Sequence, residues 1–186
     1  MSRMLSPKID FVFRVLFTQD VEILKDLLNS VLGLKGDGRI SAVEVKNPEI
    51  LPEEIEKKFI VLDVRAVDDS GREHDVEMQV RKYENYPKRT VYYLCKMYGD
   101  QLKAGEDYVE LHPVVGIHFL DYSPFPDLDA DEFHYRFAFR DVRYPDLKLN
   151  DDLSLHIFDL PAIERIAGEK QNDELLEWLR FFNHAH

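Results

Sequence analysis

Acidic side chains on two neighbouring predicted strands could hold a divalent cation. Residues 58–80 read KFIVLDVRAVDDSGREHDVEMQV, two runs in which apolar and polar residues alternate with the period of two typical of β-strands. The turn residues Asp-Asp-Ser-Gly at 68–71 separate the runs and predict a hairpin. Asp63 lies in the first run, and Glu77 and Gln79 share one face of the second.

The register of this hairpin can be inferred from its apolar faces. The apolar positions are Ile60, Leu62, Val64, Val76, Met78 and Val80. They share one core only if paired positions sum to an even number, because a one-residue slip turns one strand over. A hairpin centred on Ser70 satisfies this condition and pairs Asp63 with Glu77. Opposed side chains have Cβ atoms about 5 Å apart, so two carboxylates there repel each other unless a cation or proton lies between them. Such oxygen ligands favour Mg²⁺ or Mn²⁺.

A solvent-facing strand surface is the alternative explanation of these acids, because exposed strand faces commonly carry Asp, Glu and Gln. The apolar character of residues 59–64 around their one acid favours a metal site instead. A strand this apolar is expected to be buried on much of both faces, and a buried carboxylate needs a compensating partner.

The composition is that of a folded globular protein. The 186 residues are 45% hydrophobic and 12% aromatic, which predicts a single domain over residues 1–186. No apolar run approaches the roughly 20 residues of a membrane span, the N-terminus lacks a signal-peptide core, and one cysteine excludes a disulfide framework. We therefore expect a cytoplasmic protein that does not bind a membrane, with Cys95 packed in the core.

The distribution of charge is compatible with a nucleic-acid partner at one surface. The net charge of −12 argues against a general nucleic-acid coat protein, yet residues 57–103 carry ten basic and eight acidic side chains. Arg89, Lys96 and Lys103 fall seven residues apart on a helix predicted over residues 86–103, with Tyr93 beside them. This basic, aromatic stripe predicts contacts with phosphates and bases, and a solvated helix face explains it equally well.

The remaining patterns predict an α/β fold with a mixed sheet. Helices are predicted from Ser6-Pro7, from Asp20 to Gly33 or Gly36, and over residues 162–167 and 173–182. Further strands are predicted over residues 39–47, 112–120, 133–139 and 153–159, the first of them before the hairpin. An antiparallel meander followed by a helix and a further strand results. Within the apolar run at 112–120, His118 is interpreted as a core histidine rather than a ligand.

An acidic residue on one strand followed by Glu-x-Gln on the next, in a helix, three-strand, helix, strand order, resembles the PD-(D/E)XK nuclease superfamily. Within it, four stretches resemble the recombination-promoting nuclease / putative transposase family: SPKIDFVFRVLF, VLDVRAVDDSGREHDVEMQ, YPKRTVYYLCKMYGDQLKAGEDYVELHPVVGIHFL and ELLEWLRFF. The resemblance implies a restriction-endonuclease-like α-β-β-β-α-β core, with a mixed sheet flanked by helices and with extra C-terminal strands and a helix. It also implies a metal-dependent DNA endonuclease linked to mobile elements.

The resemblance assigns roles to individual residues. Asp63 matches the motif aspartate and Glu77 the second metal-binding acid, and the backbone carbonyl of Met78 would complete a Mg²⁺ or Mn²⁺ site. Gln79 occupies the position usually held by lysine and would orient the attacking water. Asp10 is a further candidate ligand, although a carboxylate at a helix start also complements the helix dipole.

DNA contacts are expected from Arg65, Arg89, Lys96 and Tyr93. For Arg65, an ion pair with Asp75 is the alternative. A nuclease that cuts both strands is expected to work as a homodimer.

A catalytically inactive, transposase-derived DNA- or protein-binding remnant is the alternative function. The acidic net charge, the glutamine at position 79 and the end of the chain before a C-terminal region found in longer relatives favour it. A structural oligomerisation module is a third alternative, which predicts neither metal nor DNA binding.

Overall fold

The structure, a computed structural model, describes residues 6–46, 64–128, 132–166 and 173–184. Asp63, together with Ile60 and Leu62 of the predicted hairpin, therefore lies outside the described residues. In the described part, five α-helices flank a six-stranded mixed sheet. The helices are α1 (Asp10–Gln19), α2 (Val21–Leu32), α3 (Tyr86–Gly99), α4 (Leu160–Ile166) and α5 (Glu174–His184). The strands are β1 (Val43–Val45), β2 (Val64–Asp68), β3 (Glu73–Gln79), β4 (Val114–Leu120), β5 (His134–Ala138) and β6 (Leu153–Asp159).

The sheet has the strand order β1-β2-β3-β4-β6-β5. The first three strands form an antiparallel meander, and helix α3 then carries the chain to β4, which runs parallel to both β3 and β6. Strand β5 pairs antiparallel with β6 at the edge. This order confirms the predicted α/β fold with a mixed sheet and additional C-terminal strands and helix.

The predicted register of the central hairpin is confirmed over its described residues. Val64 lies opposite Val76 and Arg65 opposite Asp75, so paired positions sum to an even number and the hairpin centres on Ser70. The Asp68 side chain accepts hydrogen bonds from the Ser70 and Arg72 backbone amides and fixes the turn.

Phenylalanine rings dominate the core between the sheet and helices α1, α2 and α5. The fully buried rings are Phe13, Phe17, Phe119, Phe158 and Phe182. Helix α3 covers the opposite face, where Leu94 and Met97 pack on Val114. Because both faces are covered, every residue of β3 and β4 is buried.

Helix α2 has the predicted bounds. The Asp20 side chain accepts a hydrogen bond from the Glu22 amide at the N-terminus. At the C-terminus Gly33 adopts the left-handed conformation, and its amide bonds the carbonyls of Asn29 and Ser30.

Two other predicted boundaries are wrong. Helix α1 begins at Asp10 rather than Pro7, because the Ile9 amide bonds the Ser6 carbonyl in a separate turn. The strand predicted over residues 39–47 is reduced to Val43–Val45.

Helix α3 differs from its prediction in both length and buried face. It ends at Gly99, so Lys103 does not extend a helical stripe. Its buried residues are Tyr86, Thr90, Leu94 and Met97. This spacing leaves Cys95 exposed, so its predicted core position is wrong, and it also leaves Val91 58% exposed. Val80, one residue beyond β3, is also exposed.

Within the described ranges, no helix has the length and apolar character needed to cross a membrane.

Two phenylalanines on α1 provide a test of the core. Phe13 is fully buried against Phe119 and Phe182, whereas Phe11 is 72% exposed. We expect Phe13→Ala to lower the free energy of unfolding by about 3–5 kcal/mol, because it leaves a cavity that the core fills only partly. Phe11→Ala should change it by less than about 0.5 kcal/mol. Urea denaturation measures both variants, and equal effects would contradict the assigned orientation of α1.

A half-buried histidine pair links β5 to β6. His134 Nε2 lies 3.0 Å from His156 Nδ1, and the His134 ring stacks on Phe158. Burial and the nearby Arg136 guanidinium lower the pKa of His134 to about 4, and burial, His134 and Arg136 lower the pKa of His156 to about 4. Both imidazoles therefore stay neutral in the folded chain at pH values where the unfolded chain protonates them.

Because of this pair, we expect the free energy of unfolding to decrease in mildly acidic solution, which gives the plot of stability against pH an acid limb. Between the ordinary histidine pKa of 6.5 and the folded value of about 4, the unfolded chain binds more protons, so stability falls as the pH falls. We expect the double variant His134→Gln/His156→Gln to flatten this limb by about 2 kcal/mol, a value that allows for solvent access to both rings. Urea denaturation across this range measures it, with His184→Gln at an exposed site as control. An unchanged limb in the double variant would exclude the pair as its source.

Candidate metal centre

The geometry of strands β3 and β4 brings three potential metal ligands together. Asp75 and Glu77 project to the same face of β3 because they are two residues apart. The parallel register places His118 of β4 beside Glu77. Asp75 is 1% exposed and Glu77 2%, so the alternative of a solvent-facing acidic strand is wrong for them.

Asp75, Glu77 and His118 form the candidate metal centre. Each offers one ligand atom, and these atoms all lie within 4.8 Å of one another. His118 Nε2 is 3.6 Å from Asp75 Oδ2, and His118 Nδ1 is 3.6 Å from Glu77 Oε2. Two carboxylates and an imidazole are a donor set that divalent cations accept.

Unpartnered polar atoms show that these residues fit a bound cation. Among the described residues, Asp75 Oδ1, Gln79 Oε1 and His118 Nε2 are buried without a hydrogen-bond partner. The Tyr86 hydroxyl lies 2.7 Å from His118 Nδ1. When Nδ1 carries the proton and donates it to Tyr86, the lone pair of Nε2 is available to a metal.

Gly116 allows α3 to lie close to the sheet beside this centre. It is paired with Asp75 on the neighbouring strand. A Cβ atom at position 116 would lie 2.8 Å from Leu155 Cδ1 and 3.1 Å from Leu94 Cδ2. A larger residue would therefore require the Leu155 and Leu94 side chains to move.

The electrostatics of the centre reflect an excess of buried negative charge. Burial raises the pKa of Glu77, and the Asp75 carboxylate raises it further against the opposing effects of His118 and Arg89. Burial alone would lower the pKa of His118, but the Asp75 and Glu77 carboxylates outweigh it and raise that pKa. A further positive charge at this position would stabilise both ionised acids.

Helix α3 supplies part of that positive charge through Arg89. Its Nη2 donates a 2.8 Å hydrogen bond to Glu77 Oε1, which also accepts a hydrogen bond from the Gln79 side-chain amide. The guanidinium lies over the rings of Tyr83 and Tyr93, 5.8 and 5.4 Å from their centroids. The structure thus brings together four of the predicted site residues: Glu77, Gln79, Arg89 and Tyr93.

Three other predicted site residues do not belong to the cluster, although Arg65 lies opposite Asp75 in the hairpin. Arg65 forms an ion pair with Glu73, its diagonal neighbour on β3, at 2.7 Å. Lys96 is exposed and pairs with Asp100 one turn later on α3. Asp10 is exposed in the first turn of α1 and does not belong to the cluster.

The two remaining predicted ligands are the Met78 carbonyl and Asp63. The Met78 side chain packs in the core on the opposite face, and the role of its carbonyl stays a prediction. Asp63 lies outside the described residues.

Sequence reasoning missed His118 and gave Asp75 no metal role. The alternation of β3 already placed Asp75 on the face of Glu77. The sequence does not predict that His118 lies beside Glu77, because a parallel strand pair joined by a helix has no local turn that fixes its register.

A comparison with protein family models identifies the family to which this chain belongs. The model described as PD-(D/E)XK nuclease family transposase matches residues 7–186. The chain belongs to this family. The resemblance inferred from the sequence is confirmed, and the six-stranded sheet is consistent with the restriction-endonuclease-like fold of the superfamily. No curated protein and no solved structure matches the chain.

The candidate metal centre includes Glu77, the acid of the Glu-x-Gln motif on β3.

The ion pair between Arg89 and Glu77 can be tested against the exposed pair on the same helix. Arg89→Met keeps the apolar stem but leaves the buried Glu77 carboxylate with one fewer donor, so stability should fall by about 1–3 kcal/mol in chelator. Lys96→Met removes the exposed pair with Asp100 and should cost less than about 0.5 kcal/mol. Urea denaturation near neutral pH measures both variants. Equal losses would show that the Arg89 contact adds nothing beyond a surface pair.

Proposed function

We propose that the chain is a metal-dependent DNA endonuclease that hydrolyses phosphodiester bonds during recombination or the movement of a mobile element. One observation carries the proposal. A chain of the PD-(D/E)XK nuclease family transposases holds two carboxylates and an imidazole within ligand distance of one another on its central strands, with unpartnered polar atoms. Structural carboxylates buried at such close range are normally each paired with a cationic side chain.

The metal site of the proposal combines the predicted and the observed ligands. Glu77 is common to both sets, with Asp63 and the Met78 carbonyl from the family resemblance and with Asp75 and His118 from the cluster. Carboxylate ligands suit Mg²⁺ and Mn²⁺ alike, and an imidazole ligand favours Mn²⁺. Asp10 remains a candidate for a second ion.

The proposed chemistry is in-line hydrolysis of the scissile phosphate. When bound, a divalent cation supplies a water of lowered pKa and neutralises charge on the phosphate. Gln79 would orient the attacking water through Oε1, since its side-chain amide nitrogen already donates to Glu77. An amide has no titratable proton near neutral pH, so Gln79 does not act as a general base.

Binding of the DNA backbone is proposed for the basic and aromatic residues around the site. Arg89 has a third of its side chain exposed and lies between Glu77 and Tyr93, so it can reach a phosphate above the carboxylates. Lys96 is exposed on the same helix. Arg65 is proposed to add positive charge at the β2 side.

The level of assembly and the cellular location stay predictions of the sequence. We propose that residues 1–186 form one nuclease domain, that it acts in the cytoplasm, and that cleavage of both strands uses a homodimer.

An inactive, DNA- or protein-binding remnant is the second candidate function. The observation that favours it is the contact of Arg89 with Glu77, because a side-chain cation already neutralises part of the acidic cluster. Gln79 in place of lysine favours it too. The two candidates differ in metal binding, which the nuclease requires and a remnant does not.

Metal binding and cleavage are tested with isosteric variants. We expect the wild-type chain to nick supercoiled plasmid with Mg²⁺ or Mn²⁺ but not with chelator. Glu77→Gln and Asp63→Asn should each reduce the rate by about 100-fold or more, because each removes a proposed ligand. Asp100→Asn, at an exposed carboxylate, is the matched control and should cleave normally.

Isothermal titration calorimetry with Mn²⁺ separates the two candidate functions. The nuclease predicts binding that weakens at least about tenfold in Asp75→Asn and Glu77→Gln. Full cleavage by Glu77→Gln would refute the site. A folded wild-type chain that neither binds Mn²⁺ nor cleaves would favour the remnant.

A further inference from the structure

An apolar cavity of about 570 Å³ lies beside the candidate metal centre. It is bounded by α3, by the β5–β6 edge of the sheet and by the segment 122–125. We call it the aromatic cavity, after its lining rings Tyr83, Tyr86, Tyr122, Phe125, Phe137 and Phe139. Its volume is within the range of pockets that bind small organic groups, roughly 300–1,000 Å³.

Two tyrosines connect the aromatic cavity with the candidate metal centre. The Tyr86 ring lines the cavity, while its hydroxyl lies 2.7 Å from His118 Nδ1. Tyr122 also lines it, and burial together with the Glu77 charge raises the pKa of Tyr122 to about 12. Its buried hydroxyl has no hydrogen-bond partner among the described residues.

The segment that leads into α3 lines the aromatic cavity through both Lys82 and Glu84, and it carries a net positive charge. Residues 81–89 contain Arg81, Lys82, Lys88 and Arg89 but only one acid, Glu84, a net charge of +3 (4 − 1) in a chain of net charge −12. Lys82 itself lines the cavity, and Arg81 and Lys88 are exposed. This local positive charge is complementary to a phosphate backbone.

We propose that the aromatic cavity receives one unstacked base of the DNA strand whose phosphate is held at the metal centre. The inference rests on the proposed function and defines its substrate class as DNA with unpaired nucleotides: single strands, flaps or mismatches. Aromatic rings bind bases by stacking on their flat faces, whichever base is present, and the basic segment 81–89 would attract the flanking phosphates. A paired base enters only after it leaves the duplex, which costs free energy and disfavours fully paired DNA.

Cys95 provides a way to block the aromatic cavity without changing a proposed ligand. It is the chain's one cysteine, it is exposed, and it lines the cavity. A bulky aromatic maleimide attached to its sulfur would occupy the space that the base requires. Cys95→Ser treated with the same reagent is the matched control.

The readout is binding in the presence of chelator, so that it does not depend on cleavage. The probe is a single-stranded oligonucleotide containing 2-aminopurine, whose fluorescence falls when its base stacks on an aromatic ring. We expect quenching with the unlabelled chain, and single-strand affinity at least about tenfold lower after labelling. The treated Cys95→Ser control should bind like the untreated chain.

A second variant guards against a label that disturbs the fold. Phe137→Ala removes a half-exposed ring from the cavity wall and should weaken single-strand binding about threefold to tenfold. It should leave the affinity for fully paired duplex unchanged. Unaltered quenching in both the labelled chain and Phe137→Ala would overturn the proposal.

The remaining outcomes separate the cavity from the nuclease activity. Metal-dependent cleavage at an equal rate with and without the label would overturn the cavity proposal and leave the nuclease standing. Label-sensitive base quenching by a chain that never cleaves would support the cavity and refute the nuclease. A label that changes only the oligomeric state, measured by light scattering, would assign the cavity to a second copy and overturn the proposal.

Discussion

Two carboxylates buried side by side on one strand are the constraint on which the rest of this structure depends. Asp75 and Glu77 lie on the same face of β3 with almost no solvent contact, and ionised acids in such a position repel each other unless positive charge is nearby. Arg89 supplies part of that charge from α3, and His118 of β4 adds to it when protonated. The unpartnered atoms of Asp75, Gln79 and His118 show that the compensation is incomplete. A divalent cation would complete it, which links the fold to the proposed chemistry.

One chain segment supplies most of what surrounds these carboxylates. After β3, helix α3 crosses the sheet and leads into β4, so a single connection places Tyr86, Arg89 and His118 around Glu77. Gly116 allows the helix to approach closely enough for these contacts. The same helix forms one wall of the aromatic cavity, so the charge that balances the acids and the proposed site for a base belong to one packing unit. Changes in the packing of α3 would therefore affect both.

Local patterns predicted the elements and the hairpin register, because a period of two and a turn centred on Ser70 allow one pairing parity. The same holds for α2, which has a capping aspartate and a terminal glycine.

The residues that contact the buried carboxylates could not be predicted from local patterns. His118 faces Glu77 through a parallel register that tertiary packing determines, and its apolar neighbours made it resemble a core residue. Arg89 was predicted at a DNA surface, but its position on α3 also brings it to Glu77. The predicted core position of Cys95 is wrong because Tyr86 and Thr90 define the buried face of α3, which leaves Cys95 exposed.

The most direct test of the central claim is anomalous diffraction from crystals grown with Mn²⁺. The account predicts an anomalous peak within about 2.5 Å of a carboxylate oxygen of Asp75, a carboxylate oxygen of Glu77 and His118 Nε2. Such a peak would identify the cluster as a metal site independently of any cleavage assay. A fully ordered cluster without a peak, with Arg89 still bonded to Glu77 at saturating Mn²⁺, would contradict the account. The buried acids would then be a structural ion network.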